Sequence, residues 1–318
     1  MNINRTLYIV INAENQLMMS NKTLIYIAGP TGIGKTKLSI DLAKKFHAEI
    51  ISCDSRQFYK EMRIGTAVPS KDQLKEVKHH FIQNKSIHDN YTVGDFEKDA
   101  INKIGDIFKN NDKIVMVGGS GLYADAVMVG LDKFPKVPSK VRGQIYQFYQ
   151  THGLKSLQQL LLEKDPKYYS RVDKNNPVRL IRALEISIAS DKPYTSFLRK
   201  KENKREFISK TVVLNCERSL LYSKINKRVD SMIAEGLELE AKKLLEYRGL
   251  SPLKTVGYKE FFPYFDGDVS FEKAVSEIKK NTRRYAKRQI TWIKKYKNVI
   301  KLLPNTTSEE AYRLINEN

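Results

Sequence analysis

The chain has 318 residues, long enough for one large domain with an insert or for two smaller domains. It carries 56 Lys and Arg against 36 Asp and Glu, and the resulting formal charge of +20 favours a polyanionic partner such as nucleic acid, unless the composition is simply lysine-rich. Two isolated cysteines, with no apolar run of membrane-spanning length, exclude a disulfide scaffold, a zinc site and a membrane partner, and they are typical of the reducing cytoplasm. The first 18 residues lack a signal-peptide pattern, and we assign them no role.

A phosphate-binding loop follows the first predicted strand. The strand is the apolar run TLIYIA, Thr23–Ala28, and a helical pattern with Leu38 and Leu42 on one face comes after the loop. Glycines let backbone N–H groups turn inward on an anion, the helix N-terminus adds positive charge, and the motif supplies a lysine for phosphate and a hydroxyl for Mg²⁺. Nothing in the loop specifies ATP. We predict a polyphosphate site, with Thr36 as the Mg²⁺ ligand, formed by Gly29, Pro30, Thr31, Gly32, Ile33, Gly34, Lys35 and Thr36.

Three further apolar runs predict strands of a parallel sheet. They are Ala48–Asp54, Lys113–Gly119 and Thr211–Cys216, and helical patterns separate them. The predicted fold class is therefore α/β, with a P-loop NTPase-like parallel sheet core. Ligands of such sheets bind at the carboxyl ends of the strands. We therefore expect the phosphate loop, Asp54 and the turn Gly118–Gly121 to converge.

Polar side chains lie at two of these strand ends. Asp54 can help to bind Mg²⁺ or accept a proton as a general base, although an aspartate that caps the next turn is the alternative. The residues that follow it can hydrogen-bond to or stack on a nucleic-acid base, and they include Ser55, Arg56, Gln57 and Tyr59. Ser120 begins a helix after the third strand, where a simple N-cap is the alternative to a site residue.

The chain divides into three segments. Residues 20–130 form the first part of the core, residues 131–205 a helical insert, and residues 206–318 complete the core and end in a basic helical region. Within the insert, Arg179 and Arg182 are three residues apart on one helix face, an arrangement that suits RNA phosphates but also an ordinary solvated face.

The chain after Cys216 is predicted to be helical almost to its end. Arg228 lies beside an apolar stripe and can reach a cleft, although its spacing alone predicts a surface residue. A second helix, predicted over Asn281–Asn298, carries seven basic residues together with Tyr285 and Trp292. Aromatic residues among cations can line an RNA groove, but at helical spacing they more often pack in a core.

Taken together, these stretches resemble the bacterial tRNA dimethylallyltransferases, also called tRNA isopentenyltransferases, of the IPP transferase family. The stretches that carry the resemblance are GPTGIGKT, DSRQFYKEMRIGTAVPS, HHFI, FEKDA, GGSGLY, NPVRLIRALE, VGYKE and RRYAKRQITW. The resemblance implies that the loop holds the diphosphate of dimethylallyl diphosphate, with Mg²⁺ as cofactor. It also implies that the dimethylallyl group goes to N6 of the adenine just 3′ of the anticodon, so the partner is the anticodon stem-loop of tRNA. We expect a cytoplasmic monomer.

The resemblance also implies individual roles. Asp54 is the general base for N6, Lys35 and Thr36 contact diphosphate and Mg²⁺, and Arg228 helps to hold the leaving group. The implied tRNA contacts are Asp54, Ser55, Arg56, Gln57, Ser120, Arg142, Val178, Arg179, Leu180, Ile181, Arg182, Lys254, Thr255, Val256, Gly257, Tyr258 and Lys259.

Three other functions are weighed against this one. An enzyme that prenylates free AMP or ADP would share the core, but it needs neither the insert nor the large positive charge. A small-molecule kinase also places an aspartate opposite a P-loop, but it would transfer phosphate from ATP. A non-catalytic RNA-binding module with a relic loop would not need to retain Lys35, Thr36 and Asp54 together.

Overall fold

The computed structural model describes residues 22–198 and 204–318, which form an α/β fold built on one parallel sheet. The strands are β1 (Thr23–Ala28), β2 (Glu49–Ser52), β3 (His79–His80), β4 (Lys113–Val117), β5 (Ile208–Leu214) and β6 (Ile300–Leu302). Their order across the sheet is β3-β2-β4-β1-β5-β6, and every neighbouring pair is parallel. The predicted fold class is therefore confirmed.

All four strands predicted from apolar runs are present, with somewhat different ends. The second strand stops at Ser52, so Asp54 lies just beyond its carboxyl end. The prediction that the chain after Cys216 is helical almost to its end is wrong at β6, where Ile300 pairs with Val212. β3 and β6 were not predicted because two or three residues are too few to show a pattern.

Helices connect and cover the strands. In chain order they are α1 (Lys35–Lys45), α2 (Lys71–Glu76), α3 (Val93–Ile107), α4 (Gly121–Met128), α5 (Ser139–Lys164), α6 (Pro166–Tyr169), α7 (Pro177–Ser190), α8 (Arg218–Ala234), α9 (Leu237–Lys243), α10 (Phe262–Phe265), α11 (Phe271–Ile293) and α12 (Ser308–Glu317). Short 3₁₀ turns occupy Tyr194–Ser196, Leu245–Tyr247 and Ser251–Leu253. Within the described ranges, no helix combines the length and the apolar character that crossing a membrane requires.

The basic helix is shorter than predicted. We expected it over Asn281–Asn298, but α11 ends at Ile293. The chain must turn there to enter β6, and Asn298 adopts a left-handed φ of 53° in that turn. Three of the seven basic residues therefore follow the helix rather than lie on it, namely Lys294, Lys295 and Lys297.

Both faces of the sheet are buried. In β1, Ile25 and Ile27 pack on the side that contains Leu42 of α1, while Leu24 and Tyr26 pack on the opposite side. Alternate residues of a strand point to opposite faces, so a strand that is covered on both sides must be apolar throughout. This is why β1 is visible in the sequence as an unbroken apolar run.

The described residues divide into two compact units. One contains the sheet and consists of residues 22–129 and 205–318, and the other consists of the described residues between 130 and 204. The second unit contains α5, α6 and α7, packed around Ile145, Leu157, Leu161, Leu180, Ala183 and Leu184. The first 21 residues lie outside the described ranges, as do residues 199–203 of the charged segment that bounds the insert.

Candidate active site

The phosphate loop connects the end of β1 to the start of α1. Gly32 and Gly34 have φ angles of 80° and 109°, which L side chains rarely adopt. The free N–H groups and the dipole at the N-terminus of α1 face the loop, as an anion site requires. The ammonium of Lys35 donates hydrogen bonds to the carbonyl oxygens of Gly29 (2.9 Å) and Pro30 (3.0 Å). These are interactions that a bound phosphate can replace.

Two cations and a carboxylate interact at this loop. Burial, and secondarily the guanidinium of Arg228, lowers the pKa of Lys35 to about 8, while the carboxylate of Asp54 acts in the opposite direction. Burial also lowers the pKa of Arg228, again against the effect of Asp54. Lys35 and Arg228 are both harder to keep protonated in this buried position. A bound anion would stabilise the charged form of each, so the two cations favour an anionic ligand.

Asp54 follows β2 and is oriented by its own turn. Its Oδ1 accepts the backbone N–H of Arg56 over 3.0 Å, so the predicted turn-capping contact is present. The same residue lines the cavity, so capping and a catalytic role are compatible. Ser120 is at the N-cap position of α4 but makes no side-chain capping bond. Instead its Oγ accepts the N–H of Ser55 (3.0 Å) and donates to Ser55 Oγ (2.9 Å).

The side chains that follow Asp54 differ in whether they can contact a nucleic-acid base. The amide of Gln57 is occupied, because its Nε2 donates to the carbonyl oxygens of Thr66 (3.2 Å) and Ala67 (3.0 Å). Tyr59, which we expected to stack on or bond to a base, is only 5% exposed and packs in a separate core cluster. Ser55 and Arg56 directly follow Asp54 in the chain, and both are polar residues that line the cavity.

A cavity of about 460 Å³ in the first unit brings the predicted elements together. The phosphate loop contributes Thr31, Gly32, Gly34, Lys35 and Thr36 to its lining. Asp54 lines it from the end of β2, and Arg228 from α8, although spacing alone placed Arg228 on the surface. Ile33, in contrast, is buried in the core and can serve only through its backbone.

The segment Lys254–Lys259 also reaches the cavity. Five of its residues line the cavity, namely Lys254, Thr255, Val256, Gly257 and Lys259. Tyr258 is fully buried, and its hydroxyl donates to Glu240 Oε1 over 2.6 Å. Gly257 has a φ of 100°, which explains the glycine at this position. The two lysines are therefore the side chains of this segment that suit phosphate.

In the second unit, two arginines share one buried carboxylate. Glu185 on α7 is 5% exposed and accepts from Arg142 Nε (3.2 Å) and Arg182 Nη1 (3.3 Å). Arg179 is exposed one turn away, whereas Leu180 is buried and cannot reach RNA through its side chain. Val178 is 73% exposed. Sequence reasoning missed Glu185, although an acid three residues after an arginine inside an apolar helix face was a usable signal.

The aromatic face of α11 packs on the glycine turn Gly118–Gly121. A Cβ on Gly121 would lie 2.2 Å from Trp292 Cδ1, so the turn must be glycine where the ring covers it. Tyr285 lines the cavity, and burial raises its pKa to about 12. Packing is therefore the main role of these rings. Sequence reasoning also missed Gln289, a buried amide between them that lines the cavity.

Comparison with known proteins gives one consistent family. The chain matches the family model for IPP transferase over residues 57–296. It is 50% identical over 303 residues to a tRNA dimethylallyltransferase of Flavobacterium johnsoniae, covering 93% of this chain and 98% of that protein. It is 55% identical over 277 residues to the tRNA dimethylallyltransferase of Christiangramia forsetii, covering 87% and 91%.

Solved structures of similar proteins have the same fold. The full-length tRNA isopentenylpyrophosphate transferase of Bacillus halodurans superposes with a TM-score of 0.68 at 35% identity, covering 94% of this chain and 96% of that one. A eukaryotic dimethylallyltransferase acting on tRNA gives a TM-score of 0.79 at 27% identity, covering 93% and 79%. With the family model matching most of the sequence, the chain belongs to the IPP transferase family.

Proposed function

We propose that this chain transfers the dimethylallyl group of dimethylallyl diphosphate to N6 of the adenine just 3′ of the anticodon of tRNA, and releases diphosphate. The observation that supports this most strongly is that the phosphate loop, Asp54 and Arg228 line one cavity in a chain of this family. An anion site beside a carboxylate can hold the leaving group while a proton leaves the acceptor amine.

The donor's diphosphate binds in the phosphate loop. The backbone N–H groups at the start of α1 and the ammonium of Lys35 contact it, and Lys35 exchanges the carbonyl oxygens of Gly29 and Pro30 for phosphate oxygens. Arg228 faces the same space. As the allylic C–O bond breaks, negative charge grows on the diphosphate, and these groups are already in place to stabilise it.

A Mg²⁺ ion fits this arrangement as a companion of the diphosphate. Among residues 22–198 and 204–318, no group of three or more His, Cys, Asp or Glu side chains could hold a metal. Mg²⁺ prefers oxygen ligands, retains water, and often takes its other ligands from substrate phosphates. The hydroxyl of Thr36 is an oxygen donor that lines the cavity and would hold it, while the carboxylate of Asp54 stays available to accept a proton. When bound, the ion would neutralise charge on the leaving group.

Asp54 accepts the proton of the target amine. The exocyclic N6 of adenine is a weak nucleophile, so removal of its proton as the N–C bond forms lowers the barrier. The bond between Asp54 Oδ1 and Arg56 N–H leaves the other carboxylate oxygen to accept this proton. To reach it, the adenine must leave its stack and enter the cavity.

The remaining RNA contacts follow from charge. Lys254 and Lys259 line the cavity, and the insert presents Arg179 and Arg182, so these cations are the proposed phosphate contacts. A tRNA substrate favours a cytoplasmic location for the enzyme. The expectation of a monomer stays a prediction.

One assay tests the transfer against its rivals. Purified protein is incubated with labelled dimethylallyl diphosphate and Mg²⁺, and unmodified tRNA, AMP and ADP are supplied as acceptors in separate reactions. Label in tRNA alone, at the adenine 3′ of the anticodon, is the expected result. Label in free nucleotide would instead support nucleotide prenylation. A parallel reaction with labelled ATP in which phosphate is transferred would support a kinase.

A further inference from the structure

One buried amide connects two walls of the cavity. Gln289 lies on the inward face of α11 and is 6% exposed. Its Oε1 accepts the backbone N–H of Thr31 over 2.8 Å, and its Nε2 donates to the carbonyl oxygen of Gly119 over 2.9 Å. Thr31 belongs to the phosphate loop and Gly119 to the glycine turn Gly118–Gly121. A single side chain therefore bonds both.

The glycine turn continues the connection to the acceptor side. Ser120, the residue of this turn after Gly119, accepts the backbone N–H of Ser55 and donates to the Ser55 hydroxyl. Ser55 directly follows Asp54. Two pairs of hydrogen bonds, joined by the covalent link between Gly119 and Ser120, thus connect Thr31, beside the donor's diphosphate, through Gln289 to the neighbour of the proposed base.

Position 289 requires an amide side chain of the length of glutamine. One bond needs an acceptor and the other a donor, and glutamine supplies both from one group. A Cβ on Gly119 would lie 2.2 Å from Gln289 Nε2, so the backbone of the turn approaches the amide as closely as glycine allows. The amide is buried, so loss of either bond leaves a polar group unpaired away from water.

We propose that Gln289 is a positioning residue, which fixes the phosphate loop relative to the glycine turn and so sets the distance between the donor carbon and Asp54. This inference rests on the proposed function, because the donor and acceptor subsites are those assigned above. In-line transfer requires the reacting atoms in near-attack geometry, and a displacement of about 1 Å can cost about a hundredfold in rate. Gln289 itself touches neither reacting atom.

The test separates the two bonds. Gln289→Glu retains an acceptor for Thr31 N–H but in its ionised form cannot donate to Gly119, whereas Gln289→Met has a similar shape and loses both bonds. We expect Gln289→Glu to lower kcat about 10- to 100-fold, with the KM for dimethylallyl diphosphate within about threefold of wild type. Gln289→Met should lower kcat similarly and also raise that KM about tenfold, because the loop is no longer fixed. The matched control is Tyr91→Phe, which removes a 3.0 Å hydrogen bond to Asp99 in the same unit and should leave both constants unchanged.

A substitution in the glycine turn disturbs the hydrogen bond between Gln289 and Gly119 from the acceptor's side. Gly119→Ala introduces a Cβ that displaces the Gln289 amide without altering it. It should reproduce the kcat loss of Gln289→Glu, and the double variant should be no worse than about twofold below the single variants. These two variants decide the question even if Gln289→Met does not fold.

The competing role is purely structural. Variants that lose activity only in proportion to their unfolded fraction, with kcat per folded molecule and KM unchanged, would overturn the positioning role. So would additive losses in the double variant. A wild-type protein that transfers no label to tRNA would overturn the proposed function, and this inference with it.

Discussion

Tyr258 donates its hydroxyl hydrogen to Glu240 Oε1 over 2.6 Å, and the pair joins two segments that line the cavity. Glu240 also accepts the backbone N–H groups of Ile64 (2.9 Å) and Gly65 (3.0 Å). A Cβ on Gly65 would lie 2.5 Å from the Tyr258 ring, so the two segments touch directly. Because Tyr258 is fully buried, its packing rather than contact with RNA explains a tyrosine at this position.

We predict that Tyr258→Phe lowers the free energy of unfolding by about 1–2 kcal/mol, because the partly buried Glu240 carboxylate loses a donor. Glu240→Ala should cost more, about 2–3 kcal/mol, since the backbone N–H groups of Arg63, Ile64 and Gly65 also lose their acceptor. Urea denaturation measures both, and Tyr146→Phe serves as the control because that tyrosine is 57% exposed. A higher KM for tRNA in Tyr258→Phe at unchanged stability would instead favour the RNA contact that family resemblance implies.

Asp54→Asn tests the general base without removing its turn contact. The amide oxygen still accepts the N–H of Arg56, but the side chain no longer accepts a proton at neutral pH. We expect kcat to fall about 10²- to 10⁴-fold while the Kd for tRNA stays within a few-fold. Single-turnover transfer and filter binding measure the two quantities. Asp106→Asn makes the same charge change at an exposed carboxylate and should have no effect. Normal turnover at saturating tRNA would contradict the proton-acceptor role.

We predict that the ionisation of Lys35 limits the pH range in which dimethylallyl diphosphate binds tightly. Its pKa in the free protein is lowered to about 8, mainly by burial, so the ammonium is present below that pH and lost above it. A bound diphosphate favours the charged form and raises this pKa, so binding above pH 8 must take up a proton. Affinity for dimethylallyl diphosphate should therefore be constant below about pH 8 and fall up to about tenfold per pH unit above it.

Titration calorimetry from pH 6.5 to 9.5 in two buffers of different ionisation enthalpy measures both the affinity and the proton uptake. Lys35→Met should bind weakly and lose this dependence on pH. A wild-type affinity that stays constant through pH 9.5 would show that the ammonium does not titrate in this range.

The parts of the fold that were predictable are those fixed by burial. β1 and β4 are covered on both faces, so each is apolar for most of its length, and parallel strands bring their carboxyl ends to one edge. The convergence of the phosphate loop with Asp54 therefore followed from the pattern. β6 could not be predicted, because three residues acquire strand geometry only by pairing with β5.

The direction of loop side chains was not predictable. Gln57 bonds to carbonyl groups of Thr66 and Ala67, and Tyr258 bonds to Glu240 on helix α9. Each orientation depends on a partner that only tertiary folding brings near, so the local spacing of residues in the sequence cannot predict the orientation. For the same reason Arg228, which spacing places at the surface, lies in the cavity.

The arginines of α7 should make tRNA binding depend on salt. Arg179 and Arg182 are exposed on one helix face, and each phosphate they contact releases counterions on binding. We predict that Arg179→Ala with Arg182→Ala raises the KM for tRNA and flattens the slope of log affinity against log salt by about one to two units. The KM for dimethylallyl diphosphate should stay nearly unchanged, since these residues belong to the other compact unit. Glu185 retains its bond to Arg142, so α7 should remain folded.

Initial rates against tRNA concentration at several salt concentrations give the slopes. Lys109→Ala with Arg313→Ala removes the same charge from two exposed ion pairs elsewhere and should leave the slope intact. Equal slopes for wild type and the α7 variant would mean that this face is only solvated, and that the RNA phosphates are bound by other cations such as Lys254 and Lys259.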